Sequence, residues 1–237
     1  MSNIVKYLYI ALIALFITGC GGGGGSTSAV SGGGSTPTPA LPTEPSQQIT
    51  YGSQKVLSKD YTEAKIAFEA VRDNSSSTDY QKRLAYTGIN YCNLKLSNIS
   101  LGDDSMINDL LSITDRNQSF SSSHTTAEVI SIPKDAYMLL GLCYLVRNKI
   151  GDEVNALKYL QELGGGSSNF DDNFKFETEI GLGISNAEAH SLIAMAYFYN
   201  GDSSKSLLQL SIAKSLDPNG NYELVTEIDT ALSTMGI

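Results

Sequence analysis

The stretch Ala187–Pro218, AEAHSLIAMAYFYNGDSSKSLLQLSIAKSLDP, decides the fold. Two runs with apolar residues at helical spacing flank a polar turn at Gly201, and Pro218 closes the second run because proline cannot continue a helix. The spacing predicts a helical hairpin. Working outward, the chain from Ile49 onward keeps helical spacing, broken by clusters of Gly, Asn, Asp and Ser, and it carries no convincing strand run. The hairpin has earlier counterparts. Tyr51-Gly52 is followed by Asp60-Tyr61-Thr62-Glu63-Ala64, Phe68 and Val71; Leu84, Gly88 and Tyr91 form another first helix, and Tyr137, Leu140, Gly141 and Tyr144 a third. The small residues Gly52, Gly88, Gly141 and Ala194 are separated by 36, 53 and 53 positions.

Ala187–Pro218 resembles a tetratricopeptide repeat over its whole unit. Ala194 stands where that family keeps a small residue for close helix contact, Tyr197 at the aromatic position and Gly201 at the inter-helix turn. Leu210 and Ala213 take the packing positions of the second helix, and Pro218 the terminating proline; Ser206 replaces the usual alanine and His190 the usual large residue. Tyr51–Val71 keeps the same internal spacing, and Asp60 with Glu63 reads as a cap on its second helix. The family unit is about 34 residues, so the two longer steps carry insertions. Second helices are expected at Ser105–Thr114 and Glu153–Leu163, and surface loops at Ser97–Asp104, Asp115–Thr126 and Gly164–Asn173, where turn-forming residues gather. Tyr222–Met235 reads as a helix hiding the open end of the stack. The resemblance implies an all-α helical-repeat solenoid over 49–237, of about four helix pairs plus a capping helix.

Residues 1–19 read as an export signal. One cation, Lys6, precedes an apolar run of eleven residues, Tyr7–Ile17, too short for the roughly 20 that a bilayer-spanning helix needs. The run ends Ile17-Thr18-Gly19-Cys20, which resembles the bacterial lipobox; the resemblance implies a diacylglyceryl thioether on Cys20 and cleavage after Gly19. Residues 20–48 then form a Gly-, Ser-, Thr- and Pro-rich stretch with one charge, Glu44, which cannot bury enough apolar surface to offset its ordering entropy. As a flexible tether it spans on the order of 30 Å. An Asp directly after the lipidated cysteine often marks inner-membrane retention in such lipoproteins, so Gly21 points to the outer membrane by the same resemblance.

Composition narrows the function. With 16 Lys and Arg against 25 Asp and Glu, the net charge of -9 disfavours nucleic acid and direct electrostatic attraction to anionic lipid, leaving the acyl anchor as the membrane contact. Two histidines, three cysteines and no tryptophan supply few of the side chains from which metal and nucleophile sites are built. No phosphate loop, zinc-protease motif, nucleophile elbow or Cys-x-x-Cys is present, and Gly181-Leu182-Gly183 lacks the third glycine of a dinucleotide fingerprint and reads as a turn. His190 reads as a packing residue and His124 as a loop residue; Asp103-Asp104 and Asp171-Asp172 read as caps or solvated acids. Cys92 and Cys143 are either buried thiols or, in an oxidising compartment, a disulfide. No catalytic residue, metal ligand or cofactor is assigned.

The remaining candidate site is the face that stacked first helices present. Family groove positions carry over to Ile89, Cys92 and Asn93; to Met138, Leu142, Leu145 and Val146; and to Ser191, Met195, Phe198 and Tyr199. An apolar face bearing methionine and aromatic residues suits a peptide or an amphipathic helix of an envelope protein. The same residues see no ligand if an inserted loop or neighbouring helix packs over them. The expected function is thus a membrane-anchored, noncatalytic scaffold in the bacterial cell envelope, with roles such as assembly of pili or outer-membrane machinery; a small-ligand-binding lipoprotein is the alternative.

Overall fold

The structure, a computed structural model, describes residues 40–121 and 130–236. Among these residues it is all-α, with nine α-helices and no strand. They are α1 (Pro45–Leu57), α2 (Tyr61–Asp73), α3 (Asp79–Lys95), α4 (Asp104–Thr114), α5 (Lys134–Arg147), α6 (Asp152–Gln161), α7 (Asn186–Tyr199), α8 (Ser203–Leu216) and α9 (Glu223–Thr234), with a 3-10 turn at Glu162–Gly164 after α6. Short polar side chains set the starts. Asp60, Asp103 and Asp202 accept backbone N–H groups of the first turns of α2, α4 and α8, and Thr78 and Ser185 form reciprocal capping boxes with Gln81 and Glu188 at α3 and α7. Pro45 lies in the first turn of α1, where its missing N–H costs nothing, so the helix begins inside the span 20–48 that composition assigns to the tether.

Consecutive helices pair as hairpins: α1 with α2, α3 with α4, α5 with α6, α7 with α8. The first helices also pack in sequence, α1 on α3, α3 on α5, α5 on α7, α7 on α9, while α2 leans on α3, α4 on α5 and α6 on α7. The small residues explain how closely they approach. Phe68 of α2 wedges between Gly52 and Gly88; a Cβ on Gly88 would lie 2.5–2.7 Å from three Phe68 ring atoms, and one on Gly52 2.9–3.2 Å. Gly141 stands in the same relation to Leu160, at 2.5 Å, and Ala194 is fully buried. One large apolar core, from Val56 to Leu232, runs through all the hairpins, with a small separate cluster of Ala187, Ala213 and Val225 where α7, α8 and α9 meet, so each hairpin depends on its neighbours for cover.

The inner first helices differ in burial from α1 and the second helices. Helix α5 is buried at eleven consecutive positions, Asp135–Leu145, and α7 at Ala189–Tyr197, whereas α2 and α8 bury one stripe and expose the other. A helix enclosed all round needs cover on two sides. The second helices supply one side. The other is supplied by the chain between α6 and α7: Gly164–Asn173 lies largely on the surface as expected, but the residues that follow turn inward.

Candidate functional site

The eleven residues expected on the groove do gather on adjacent helices, α3, α5 and α7. They do not form an open face. Ile89, Cys92, Met138, Leu142, Leu145, Ser191 and Met195 are buried; Asn93, Val146, Phe198 and Tyr199, at the C-terminal ends of their helices, are half-buried. The expectation of an exposed apolar groove is corrected on this point. The buried apolar members share one core with Phe174, Phe176, Ile180, Leu182 and Ile184, all between 0% and 6% exposed.

This segment, Phe174–Ile184, is a non-helical strap that alternates inward and outward: Lys175, Glu177, Glu179 and Gly183 are exposed between the buried residues. It is bonded to all four first helices, and largely through its main chain. On α7, His190 Nε2 lies 3.1 Å from the Phe174 carbonyl oxygen, and Asn186 Oδ1 accepts the Phe176 N–H at 2.7 Å. On α5, Lys134 Nζ donates to the Lys175 carbonyl at 3.1 Å, and Asp135 Oδ2 accepts the N–H groups of Glu179 and Ile180 at 2.7 and 2.9 Å. On α1, Ser53 donates to the Glu179 carbonyl at 2.8 Å; on α3, Tyr91 donates to the Leu182 carbonyl at 2.7 Å, and Tyr80 donates to the Glu179 carboxylate at 2.5 Å. Gly181 turns the strap over α1 with φ +77, where a Cβ would meet the Ser53 carbonyl oxygen at 3.2 Å; both the left-handed backbone and the close approach require glycine. Each buried strap side chain contributes about 1.5–3 kcal/mol, so the five together are of the order of a domain's whole net stability.

The sequence reading did not anticipate the strap, although a sign of it was present. Its alternation, Phe-Lys-Phe-Glu-Thr-Glu-Ile-Gly-Leu-Gly-Ile, has the period of two that buries every second residue of a non-helical chain. The turn expected at Gly181–Gly183 is present, with both glycines at positive φ.

The polar candidates are tied into this scaffold. His190 is buried, its ring 4.2 Å from that of Phe174 and its Nδ1 2.7 Å from Gln209 Oε1; Gln209 in turn donates to Asp172 Oδ1 at 2.9 Å. Asp103 caps α4; Asp104 pairs with Arg147 at 2.6 Å and Lys149 at 3.0 Å; Asp171 accepts the Asn173 N–H. Cys92 and Cys143 are free and buried, and burial pushes both thiols up to about 12, so both are protonated and poorly nucleophilic near neutral pH. Burial likewise pushes the Asp135 carboxyl up to about 6, against the opposing pull of the two N–H groups it accepts. His124, Cys20 and the span 1–39 lie outside the described residues.

A concavity of about 680 Å³ lies between α4, α5, α6 and the loop 165–169. Tyr137 and Tyr159 line it with Arg116, Lys158, Glu162 and Ser167. Tyr159 stacks between Tyr137 and Tyr144, at 6.5 and 5.8 Å, and Arg116 reaches Glu162 at 3.6 Å. The cleft therefore offers charged and hydroxyl groups around tyrosine edges.

Comparison of the chain with protein-family models, with curated proteins and with solved structures returns no match.

Proposed function

We propose that this chain is a lipid-tethered, noncatalytic protein-binding module of a bacterial cell envelope, built as a tetratricopeptide-like solenoid of four helix pairs and a capping helix. The repeat reading is supported by Gly52, Gly88, Gly141 and Ala194, which recur at one register of the first helices, three of them directly beneath a large side chain of a second helix. The observation that carries the binding reading is the strap. A layer of four helices that holds a non-helical segment by main-chain hydrogen bonds, while taking alternate side chains into its core, has the chemistry of a surface that receives polypeptide. The tether reading rests on Ile17-Thr18-Gly19-Cys20 and the glycine-rich run behind it. Several acyl chains give stable anchoring where one gives only marginal binding. The partner is an envelope protein or peptide.

Two measurements test this. In a bacterial host, Cys20→Ala should abolish lipid labelling and processing after Gly19; persistent acylation removes the anchor. In-cell crosslinking of the full chain should attach envelope proteins reproducibly, and a chain that crosslinks to none is not a scaffold. The cleft between α4 and α6 favours a second reading, a binder of a small polar ligand. That reading is supported if a small-molecule panel raises the melting temperature of the purified protein while crosslinking attaches no protein.

A further inference from the structure

The contacts that seat the strap are mostly contacts to atoms that every polypeptide carries. Asp135 accepts two backbone N–H groups, and Ser53, Tyr91 and Lys134 each donate to a backbone carbonyl. The strap's own side chains enter by their parity, apolar inward and polar outward, and Tyr80 holds one of the outward-facing residues, Glu179. This is how a groove reads a bound peptide: main-chain bonds give affinity, and pockets for alternate side chains give selectivity. The strap is also joined to the helices through glycines at both ends. Gly165 and Gly166 lie in the loop before it and Gly183 is its penultimate residue, all at positive φ, and the loop on its N-terminal side lies largely on the surface.

We propose that the first-helix layer is a peptide-binding groove whose built-in occupant is Phe174–Ile184, and that a partner segment with bulky apolar side chains at alternate positions binds by exchanging with this strap. The proposal rests on the protein-binding reading above and supplies its partner chemistry and its control. The covalently attached strap competes at an effective concentration of about millimolar, so the groove stays closed to dilute peptides. A partner opens it by matching the alternation and by being held nearby, as two proteins confined to one membrane surface are.

The test uses the full chain with residues 173–184 replaced by a Gly/Ser linker of equal length, together with a synthetic peptide of the sequence 173–185. The replaced chain should lose thermal stability or fold incompletely, and the peptide should bind it at one to one and restore the helical signal and melting temperature toward those of the parent. A peptide of the same composition without the alternation should not, and Phe176→Ala in the peptide should weaken binding at least about tenfold. Two results overturn the proposal: a replaced chain as stable as the parent without peptide, or a peptide that fails to bind, whether the replaced chain is folded or not. These are measurements on purified components. Peptide rescue without any crosslinked envelope protein would leave the groove standing and remove the scaffold; crosslinking without rescue would do the reverse.

Discussion

Two insertions interrupt the hairpins, and they are held by opposite physics. The segment after α4, described as far as Ser121, is pinned by polar groups. Arg83 of α3, fully buried, donates to the carbonyls of Ile113 and Gln118 and pairs with Asp79 at 2.6 Å; Asp79 also accepts the Phe120 N–H, and Ser121 donates to the Ser77 carbonyl. The segment after α6 is held by five apolar side chains, with hydrogen bonds fixing its path. The first is fastened mainly to α3 and its N-terminal flank, with Arg116 reaching on to Glu162. The second belongs to the core of four hairpins. Of the two described segments, the one whose residues alternate apolar and polar is the one that sends a row of side chains into the shared core.

Breaking each fastening should show that difference, with effects of similar size and different reach. Arg83→Ala takes the guanidinium away from the Asp79 carboxylate and from two carbonyls and should cost about 3–5 kcal/mol. Phe176→Ala empties a buried aromatic site and should cost about 3–5 kcal/mol. Urea unfolding measures both losses. Hydrogen exchange separates them: faster exchange confined to 113–121 and the start of α3 for Arg83→Ala, but spread over α1, α3, α5 and α7 for Phe176→Ala. Equal spread in the two variants would mean that the insertions are not distinct.

The buried acid beneath the strap sharpens the comparison through pH. The Asp135 carboxyl has an ordinary value of 3.8 and is pushed up to about 6 by burial, so the folded protein binds this proton more tightly than the unfolded chain. Its contribution to stability is fully present below 3.8 and is lost as the pH rises through about 6, a difference of about 3 kcal/mol. The substitution Asp135→Asn keeps a side-chain oxygen for the Glu179 and Ile180 N–H groups and removes the buried charge. The variant should be more stable than the parent at pH 7.5, by up to about 3 kcal/mol, and the gap should close by about pH 4. Parallel urea midpoints across that range would show that the strap does not enclose the carboxylate.

Much of this fold could be read in advance, because apolar residues at helical spacing and turn residues between them act locally. The second helices expected at Ser105–Thr114 and Glu153–Leu163 match α4 and α6 within two residues, and the capping helix matches α9. The candidate groove was legible in membership and not in exposure. That Met138 and Leu142 lie on a helix shared with a layer of neighbours follows from apolar residues at helical spacing; that the layer is covered depends on where a connection folds back across more than a hundred residues, from Glu179 to Ser53. The alternation of Phe174–Ile184 was the available sign. It is obscured by Glu177-Thr178-Glu179, which interrupts the apolar positions, and by two glycines that read more simply as a turn.

The helix pairs that carry both insertions meet at small residues, and the smallest effects should come from there. An alanine in a helix interior gains about 1 kcal/mol over glycine, which favours substitution at Gly52 and Gly88 alike. Steric cost separates them. At Gly88 the added Cβ would sit 2.5–2.7 Å from three atoms of the Phe68 ring, which is fully buried and has nowhere to retreat; overpacking of this kind costs about 1–3 kcal/mol. At Gly52 the contact is 2.9–3.2 Å with the far edge of the same ring, a milder overlap that the propensity gain can offset. Gly88→Ala should therefore be destabilising by up to about 2 kcal/mol net and Gly52→Ala close to neutral. Adding Phe68→Leu should remove the difference between the two glycine variants in thermal unfolding. If Gly88→Ala alone is as stable as the parent, α2 does not press on α3 as closely as the hairpin stack requires, and the scaffold beneath both insertions is looser than their fastenings imply.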